Sequence, residues 1–115
     1  MDTNLLLAMT NTPDADTAHR IAEALVAERL AACVNVLAPC RSVYRWQGAV
    51  ERADEVPLLI KTTAAAWPAL ACRLRALHPY DVPEIVAWEP LQVAADYLAW
   101  AREQTVAAGG PPSGG

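Results

Sequence analysis

The stretch from Leu77 to Val86, LHPYDVPEIV, gathers several side chains that could do chemistry. It holds one imidazole, one phenol and two carboxylates, on His78, Tyr80, Asp81 and Glu84. Pro79 removes a backbone donor and disfavours helical dihedrals at His78, so a preceding helix is predicted to end there. A loop this rigid suits a binding site, and it equally suits a well-made turn. Nothing within the stretch decides between the two.

His78 has two interpretations. A neutral imidazole is a good ligand for copper, zinc and nickel. At the end of a helix, its donors or its charge also complement the last backbone carbonyls. We favour the second interpretation, because this histidine has no ligand at i+4 and no nearby thiol.

The three cysteines are Cys33, Cys40 and Cys72, an odd number without CxxC spacing. This usage predicts a reducing compartment, most simply the cytoplasm, and neither a disulfide framework nor a structural zinc site. Cys33 and Cys40 lie seven residues apart on one predicted strand, so they face opposite sides unless a bulge at Pro39 corrects the phase. Each also suits the role of a small buried hydrophobe.

Carboxylates and aromatic residues supply the other candidates. Asp81, Glu84 and Glu51 could act with Tyr80 or His78 in acid–base chemistry. The sequence has no HExxH and no glycine-rich phosphate loop, and the Lys61-Thr62-Thr63 segment lacks the glycines of a P-loop. Four large aromatic residues could wall a pocket or pack in the core and between subunits, and we favour packing: Tyr44, Trp46, Trp88 and Trp100.

Composition limits the classes of function. At 115 residues the chain fits one domain, and its hydrophobic fraction of 54% includes no Phe. The net charge of −4, with few and scattered Lys and Arg, argues against a nucleic-acid partner. No apolar run long enough for a membrane span appears, and no signal peptide.

The elements that position these residues follow from apolar periodicity and turn residues. A buried strand over 5–9 precedes a helix capped by Asp14 or Thr12. A long strand over 32–46, bent at Pro39, forms a hairpin through Gln47-Gly48 with a strand over 50–62. A helix from near Trp67, a strand over 85–88 and a helix over 93–105 complete the order. We expect the last helix to bury its apolar side: Val93, Tyr97, Trp100 and Ala101.

This order predicts an α+β fold, a ferredoxin-like βαββαβ sandwich with an additional C-terminal helix. Residues 1–106 would form the single domain, and the Gly/Pro/Ser tail 107–115 would be disordered. Both main helices would cover one face of an antiparallel sheet. The uncovered apolar face and the protruding hairpin predict self-association.

Four motifs in order resemble the CutA family of divalent-cation-tolerance proteins: ERLAACVNVLAPCRSVYRWQG, EVPLLIKTT, LHPYDVPEIV and YLAW. The resemblance runs in register from about Leu5 to Trp100. It implies a homotrimer of ferredoxin-like subunits, PII-like in assembly, with sheets facing one another around a three-fold axis. It also implies a cytoplasmic protein associated with tolerance to copper and other divalent metals.

In the family, copper binding is associated with a thiol at the end of the first strand and a pair of histidines at the end of the second helix. Here those positions hold Thr10 and Leu77-His78, so His78 is the one of these ligands that is present. Cys33 matches a family cysteine in AACVN, while Cys40 is a local variation.

These observations favour a non-enzymatic, trimeric protein that binds divalent metal ions of the copper class, or a small ligand, at clefts between subunits. His78 and Cys33 are the candidate metal ligands, and no cofactor is required beyond a possible Cu²⁺ or another divalent cation. The HPYDVPE loop of one subunit would capture the ligand against the hairpin of a neighbour. The assigned cleft residues are Tyr80, Asp81, Glu84, Glu51 and Lys61, and the assigned trimer-interface residues are Tyr44, Trp46 and Trp88.

Two alternatives remain open. One is a small enzyme that uses the same loop for acid–base chemistry on an anionic substrate, which would need a perturbed pKa in a cleft. The other is a PII-like signalling or scaffold trimer that presents its helices to a partner protein. The ferredoxin-like fold hosts many unrelated functions and does not choose among them.

Overall fold

The computed structural model describes residues 4–106. Its chain order is strand, helix, three strands, helix, strand, helix. The elements are β1 (Leu5–Thr12), α1 (Ala15–Ala27), β2 (Cys33–Val36), β3 (Cys40–Trp46), β4 (Ala49–Thr63), α2 (Trp67–Leu77), β5 (Val86–Trp88) and α3 (Ala95–Gln104). The predicted tail 107–115 lies outside the described residues.

The sheet is antiparallel throughout and has the order β2-β4-β1-β5, with β3 paired to β4. The 15-residue β4 organises it. Its second half pairs with β1 over the full length of that strand, from Val56 opposite Thr12 to Thr63 opposite Leu5. Its first half pairs with β3 alone, from Ala49 to Glu55. Residues 40–55 therefore form a two-stranded hairpin arm that extends beyond the main sheet.

The predicted strand over 32–46 is two strands, which corrects the expectation of one bent strand. β2 ends at Val36 and β3 begins at Cys40, and both pair with β4. Pro39 lies in the gap and has no backbone N–H to continue the ladder. The hairpin turn is confirmed, since Gln47 and Gly48 have φ of 50° and 84°, as a two-residue type I′ turn requires.

Helices α1 and α2 cover one face of the sheet. Asp14 caps α1 by accepting a hydrogen bond from the backbone N–H of Thr17 at 2.8 Å, and Pro68 lies in the first turn of α2. The helices and the sheet share one core built from small and branched side chains. It includes Ala18, Ile21 and Leu25 of α1, Leu70 and Leu74 of α2, and Ala8, Leu58 and Ile60 of the sheet. The predicted α+β class with an antiparallel sheet is confirmed.

The last helix is shorter than predicted. Of its expected apolar side, Ala101 is fully buried against Leu5 and Ala32, whereas Trp100 stays 41% exposed. Arg29, in a left-handed conformation with φ of 62°, donates from its guanidinium to the backbone carbonyls of Glu103 and Gln104. Those contacts satisfy carbonyls that the end of α3 would otherwise leave without a partner.

The second face of the sheet is only partly covered, because side chains alternate along each strand and α3 reaches just the end near Leu5. Trp88 and Val86 are 42% and 44% exposed there, beside Leu7 and Met9 of β1. Within residues 4–106, none of the helices has the length and apolar character that crossing a bilayer requires.

Candidate functional site

A cleft of about 900 Å³ opens between the hairpin arm and the loop formed by residues 78–84. Both walls of this cleft belong to the same chain. Capture of a ligand between the loop of one subunit and the hairpin of a neighbour stays a prediction. The lining residues are Asn11, Ser42, Val43, Tyr44, Trp46, Ala53, Glu55, Pro79, Tyr80, Asp81, Val82 and Glu84.

Strand alternation explains which arm residues line the cleft. On β3, the residues Ser42, Tyr44 and Trp46 share one face. Ala53 lies opposite Ser42 and adds to that face from β4. The arm thus presents two aromatic rings, a hydroxyl and a methyl group to the loop.

His78 fixes the start of the 78–84 loop. It is the C-cap of α2 and is 7% exposed. Its Nε2 lies 2.8 Å from the carbonyl oxygen of Asn11, and the backbone N–H of Tyr80 donates to its Nδ1 at 3.2 Å. Since a carbonyl only accepts, Nε2 carries the proton and the ring is neutral. Burial lowers the pKa of His78 below its ordinary value of 6.5, which favours the same form.

These contacts favour the structural role of His78 over the metal-binding role. Both ring nitrogens are already hydrogen-bonded within the chain, so a metal ion would have to displace the N–H of Tyr80 from Nδ1. The imidazole also packs against the Tyr80 ring, with centroids 4.7 Å apart. His78 therefore positions Tyr80 and does not itself line the cleft.

Tyr80 joins the loop to the arm. Its hydroxyl donates to Glu55 Oε2 at 2.7 Å. Burial, and then the hydrogen bond to Glu55, raise the pKa of Tyr80 above its ordinary value of 10.0. The phenol therefore stays protonated at neutral pH and acts as a donor.

Glu55 is the most enclosed acid of the cleft, at 8% exposure. The ion pairs found among the described residues, Arg41 with Asp54 and Arg73 with Glu28, do not involve Glu55. Its side-chain partner in the part of the chain described is the neutral hydroxyl of Tyr80. The charge of this carboxylate thus lacks a cationic partner there.

Two further carboxylates stand on the loop side. Asp81 and Glu84 are exposed, and Asn11 Nδ2 lies 3.4 Å from Glu84 Oε1. Together with Glu55 they give the cleft three acidic side chains, and the lining set contains no Lys, Arg or His. The electrostatic potential in the cleft favours cations.

The structure places the other predicted site residues elsewhere. Glu51 is exposed on the arm and does not line the cleft. Lys61 hydrogen-bonds Asn35 on the second face of the sheet, where Cys33 is its cross-strand neighbour. Lys61 and Glu51 thus do not line the cleft of a single chain, and their assignment to a cleft between subunits stays a prediction. Of the three predicted interface aromatics, Trp88 lies on the second face, whereas Tyr44 and Trp46 line the cleft.

The predicted metal ligands are not brought together. Cys33 lies opposite Lys61 in the sheet, whereas His78 contacts Asn11 near the other end of β1. Across residues 4–106 there is no group of three or more His, Cys, Asp or Glu side chains that could hold a metal ion. Thr10, at the position of the family thiol, is fully buried.

Sequence reasoning missed three polar lining residues, Glu55, Ser42 and Asn11, and the apolar Val43 and Ala53. The signal for Glu55 was present, because it shares the β4 face of Glu51 by alternation and stands directly before the apolar run from Val56. Asn11 lies beyond the predicted strand over 5–9, whereas β1 continues to Thr12.

Residues 6–104 match the family model described as CutA1 divalent ion tolerance protein. The Divalent-cation tolerance protein CutA of Thermus thermophilus is 50% identical over 99 residues, which cover 86% of this chain and 96% of that protein. Protein CutA of Homo sapiens is 41% identical over 98 residues, and the match covers 85% of this chain and 55% of the human protein.

A solved structure shows the same fold. The divalent cation tolerance protein (Cut A1) from Thermus thermophilus superimposes with a TM-score of 0.86 at 48% identity. The superposition covers 89% of this chain and 99% of that one. The likeness therefore extends over nearly the whole of both chains.

Proposed function

The chain belongs to the CutA1 divalent ion tolerance family, and from that premise we propose that it is a non-catalytic binding protein, a homotrimer that captures divalent cations or a small ligand in the cleft of each subunit. The observation that carries the proposal is the lining of the cleft, which has three carboxylates and no basic side chain. A cleft of about 900 Å³ falls within the usual range for ligand sites.

The donor set bears on which cation binds. Carboxylate, hydroxyl and amide oxygens suit hard ions such as Mg²⁺, Ca²⁺ and Mn²⁺, whereas copper prefers imidazole and thiol ligands. The cleft supplies oxygens from Glu55, Asp81 and Glu84, and both nitrogens of His78 are engaged in hydrogen bonds. This supports capture through oxygen and gives a copper site at His78 and Cys33 less support. No resident cofactor is proposed.

The uncovered face of the sheet supports the trimer. Exposed Trp88 and Val86 lie beside the half-buried Leu7 and Met9, so together they form an apolar patch. A small chain gains stability when it buries such a patch against copies of itself. We place the sheets face to face around a three-fold axis, PII-like in assembly. The free thiols of all three cysteines are consistent with the cytoplasm.

The chemistry of the cleft supports binding over catalysis. Tyr80 has a raised pKa and is a poor base at neutral pH. His78 is neutral, both of its ring nitrogens are hydrogen-bonded, and it does not line the cleft. A general acid–base enzyme would instead need a cleft side chain whose pKa lies near the operating pH.

Calorimetric titration tests the proposal, with Mn²⁺, Zn²⁺, Cu²⁺ or a small organic cation added to the wild type and to the Asp81→Asn/Glu84→Gln double variant. We expect at least one cation, either a divalent ion or a small organic cation, to bind saturably at one site per chain, and this binding should weaken at least tenfold in the double variant. Light scattering in the same buffer should give a mass of three times 12.3 kDa.

Glu23→Gln provides the matched control, because it removes an exposed carboxylate from α1 outside the cleft. It should leave the affinity unchanged. If Glu23→Gln weakened cation binding as much as the double variant does, the effect would come from the change in net charge and not from the cleft. Binding of neither metal ions nor small cations by a trimer would refute the proposed function.

A further inference from the structure

We propose that the ligand of this cleft is an organic cation, an ammonium or guanidinium group on an apolar body, and not a bare metal ion. The inference rests on the proposed function of the cleft and narrows it to one chemical class. Three observations lead to it: the spread of the carboxylates, the enclosed charge of Glu55 and the aromatic wall of the arm.

The carboxylates are spread too widely to hold one small ion. A metal ion needs several ligand atoms within about 2.0–2.6 Å. Within residues 4–106, Glu55, Asp81 and Glu84 do not form a group that meets the requirement for a metal site. Their separation across about 900 Å³ instead fits a molecule whose positive group reaches one acid while its body fills the remaining space.

Glu55 supplies the anchor for the positive group. A carboxylate at 8% exposure is costly unless it is paired, and its side-chain partner in the described chain is the neutral hydroxyl of Tyr80. An ammonium or guanidinium group would donate to the carboxylate without displacing Tyr80, because a carboxylate accepts several hydrogen bonds. The ligand would then provide the missing counter-charge.

The aromatic wall accounts for the apolar body. Tyr44 and Trp46 line the cleft and remain 44% and 43% exposed, and Val82 faces them from the loop at 69% exposure. Aromatic faces attract organic cations, and this attraction adds to the burial of apolar surface. A hydrated metal ion would gain little from this wall.

The test is calorimetric titration of the assembled protein with phenethylamine, agmatine and 1,5-diaminopentane, each to millimolar concentration. The neutral analogue 2-phenylethanol and the anionic analogue 3-phenylpropionate serve as ligand controls. We expect saturable binding of at least one cation and no measurable binding of the two analogues.

Two variants separate the contributions. Glu55→Gln keeps an oxygen that accepts from Tyr80 but removes the charge, and it should weaken cation binding at least tenfold. Trp46→Leu should weaken it about twofold to thirtyfold, the range expected for a lost cation–π contact. Glu23→Gln should change nothing, and circular dichroism checks that each variant is folded. Glu84→Gln provides a rim variant should Glu55→Gln fail to fold.

The outcomes distinguish this inference from the proposed function. Binding of 2-phenylethanol as tightly as phenethylamine would overturn the charge argument. Divalent-ion binding at the cleft carboxylates without binding of any of the three organic cations would overturn the ligand class and leave the proposed function standing. Binding of neither class would overturn both.

Discussion

The hydroxyl of Thr10 yields the sharpest stability prediction of this structure. Thr10 is fully buried on the helix-facing side of β1, and its Oγ1 has no hydrogen-bond partner within the described residues. Two other fully buried threonines of the sheet differ from it. Thr12 donates to the carbonyl of Val56 at 2.8 Å, and Thr62 donates to the carbonyl of Leu30 at 2.7 Å.

Thr→Val at each of the three positions replaces a hydroxyl by a methyl group of similar shape. At Thr10 it removes a desolvation penalty of about 1–3 kcal/mol, so the variant should be more stable than the wild type. At Thr12 and Thr62 the same change breaks a buried hydrogen bond and leaves a carbonyl without that donor, with an expected loss of about 0.5–1.5 kcal/mol or more. The sign of the effect should therefore differ between matched substitutions.

Thermal and urea unfolding measure the difference. A gain of about 1 kcal/mol raises the Tm by about 4–8 °C in a domain of this size, provided that protein concentration is held constant for an oligomer. Destabilisation by Thr10→Val equal to that of Thr12→Val would refute the reasoning. It would mean that the Thr10 hydroxyl has a partner, or that the packing there rejects a second methyl group.

Two further predictions concern hydrogen bonds and charge. Tyr80→Phe leaves Glu55 without its donor and should lower the free energy of unfolding by about 1–3 kcal/mol at pH 7. Because burial and Glu55 raise the pKa of Tyr80, the wild type should lose stability as pH rises above 10.0, the ordinary value. Tm measured from pH 8 to 11 should show a smaller loss in Tyr80→Phe, and an equal loss would contradict the assignment. Glu28→Gln breaks the two-point contact with Arg73 at 2.8 and 2.9 Å, yet both side chains are partly exposed. Urea unfolding should therefore show a cost below about 1 kcal/mol that shrinks in high salt, and a cost of several kcal/mol would indicate a buried pair.

Local sequence signals were sufficient to predict the helices, strands and turns, but not to predict which residues line the cleft. Pro79 ends α2 at Leu77, and Gln47-Gly48 forms the turn, because both effects depend on neighbouring residues alone. The extent of the cleft depends on register. β1 pairs with β4 only from Val56 onward, which leaves Glu55 at the junction of the arm and the sheet. No local sequence pattern specifies the register between β1 and β4.

The assignments of Lys61 and His78 show the same limit. Periodicity placed Lys61 on the correct strand, but pairing with Cys33 and Leu7 puts it farther along β4 than Glu55, outside the cleft lining. The sequence allowed His78 to be either a helix cap or a metal ligand. The hydrogen bond of its ring to the carbonyl of Asn11, 67 residues distant in sequence, supports the structural role. Long-range contacts thus favour one of the interpretations that the sequence left open.

Thr10 and Glu55 are both enclosed polar groups that lack full compensation, but they differ in access. Thr10 is sealed in the core at 0% exposure, so no ligand can reach its hydroxyl and its cost is purely structural. Glu55 borders an open cleft, so a bound cation can recover the cost of burying its charge. Stability lost at a position that a ligand can reach is typical of functional sites. This difference in access, more than the number of acids, is why we propose the arm–loop cleft as the functional part of the molecule.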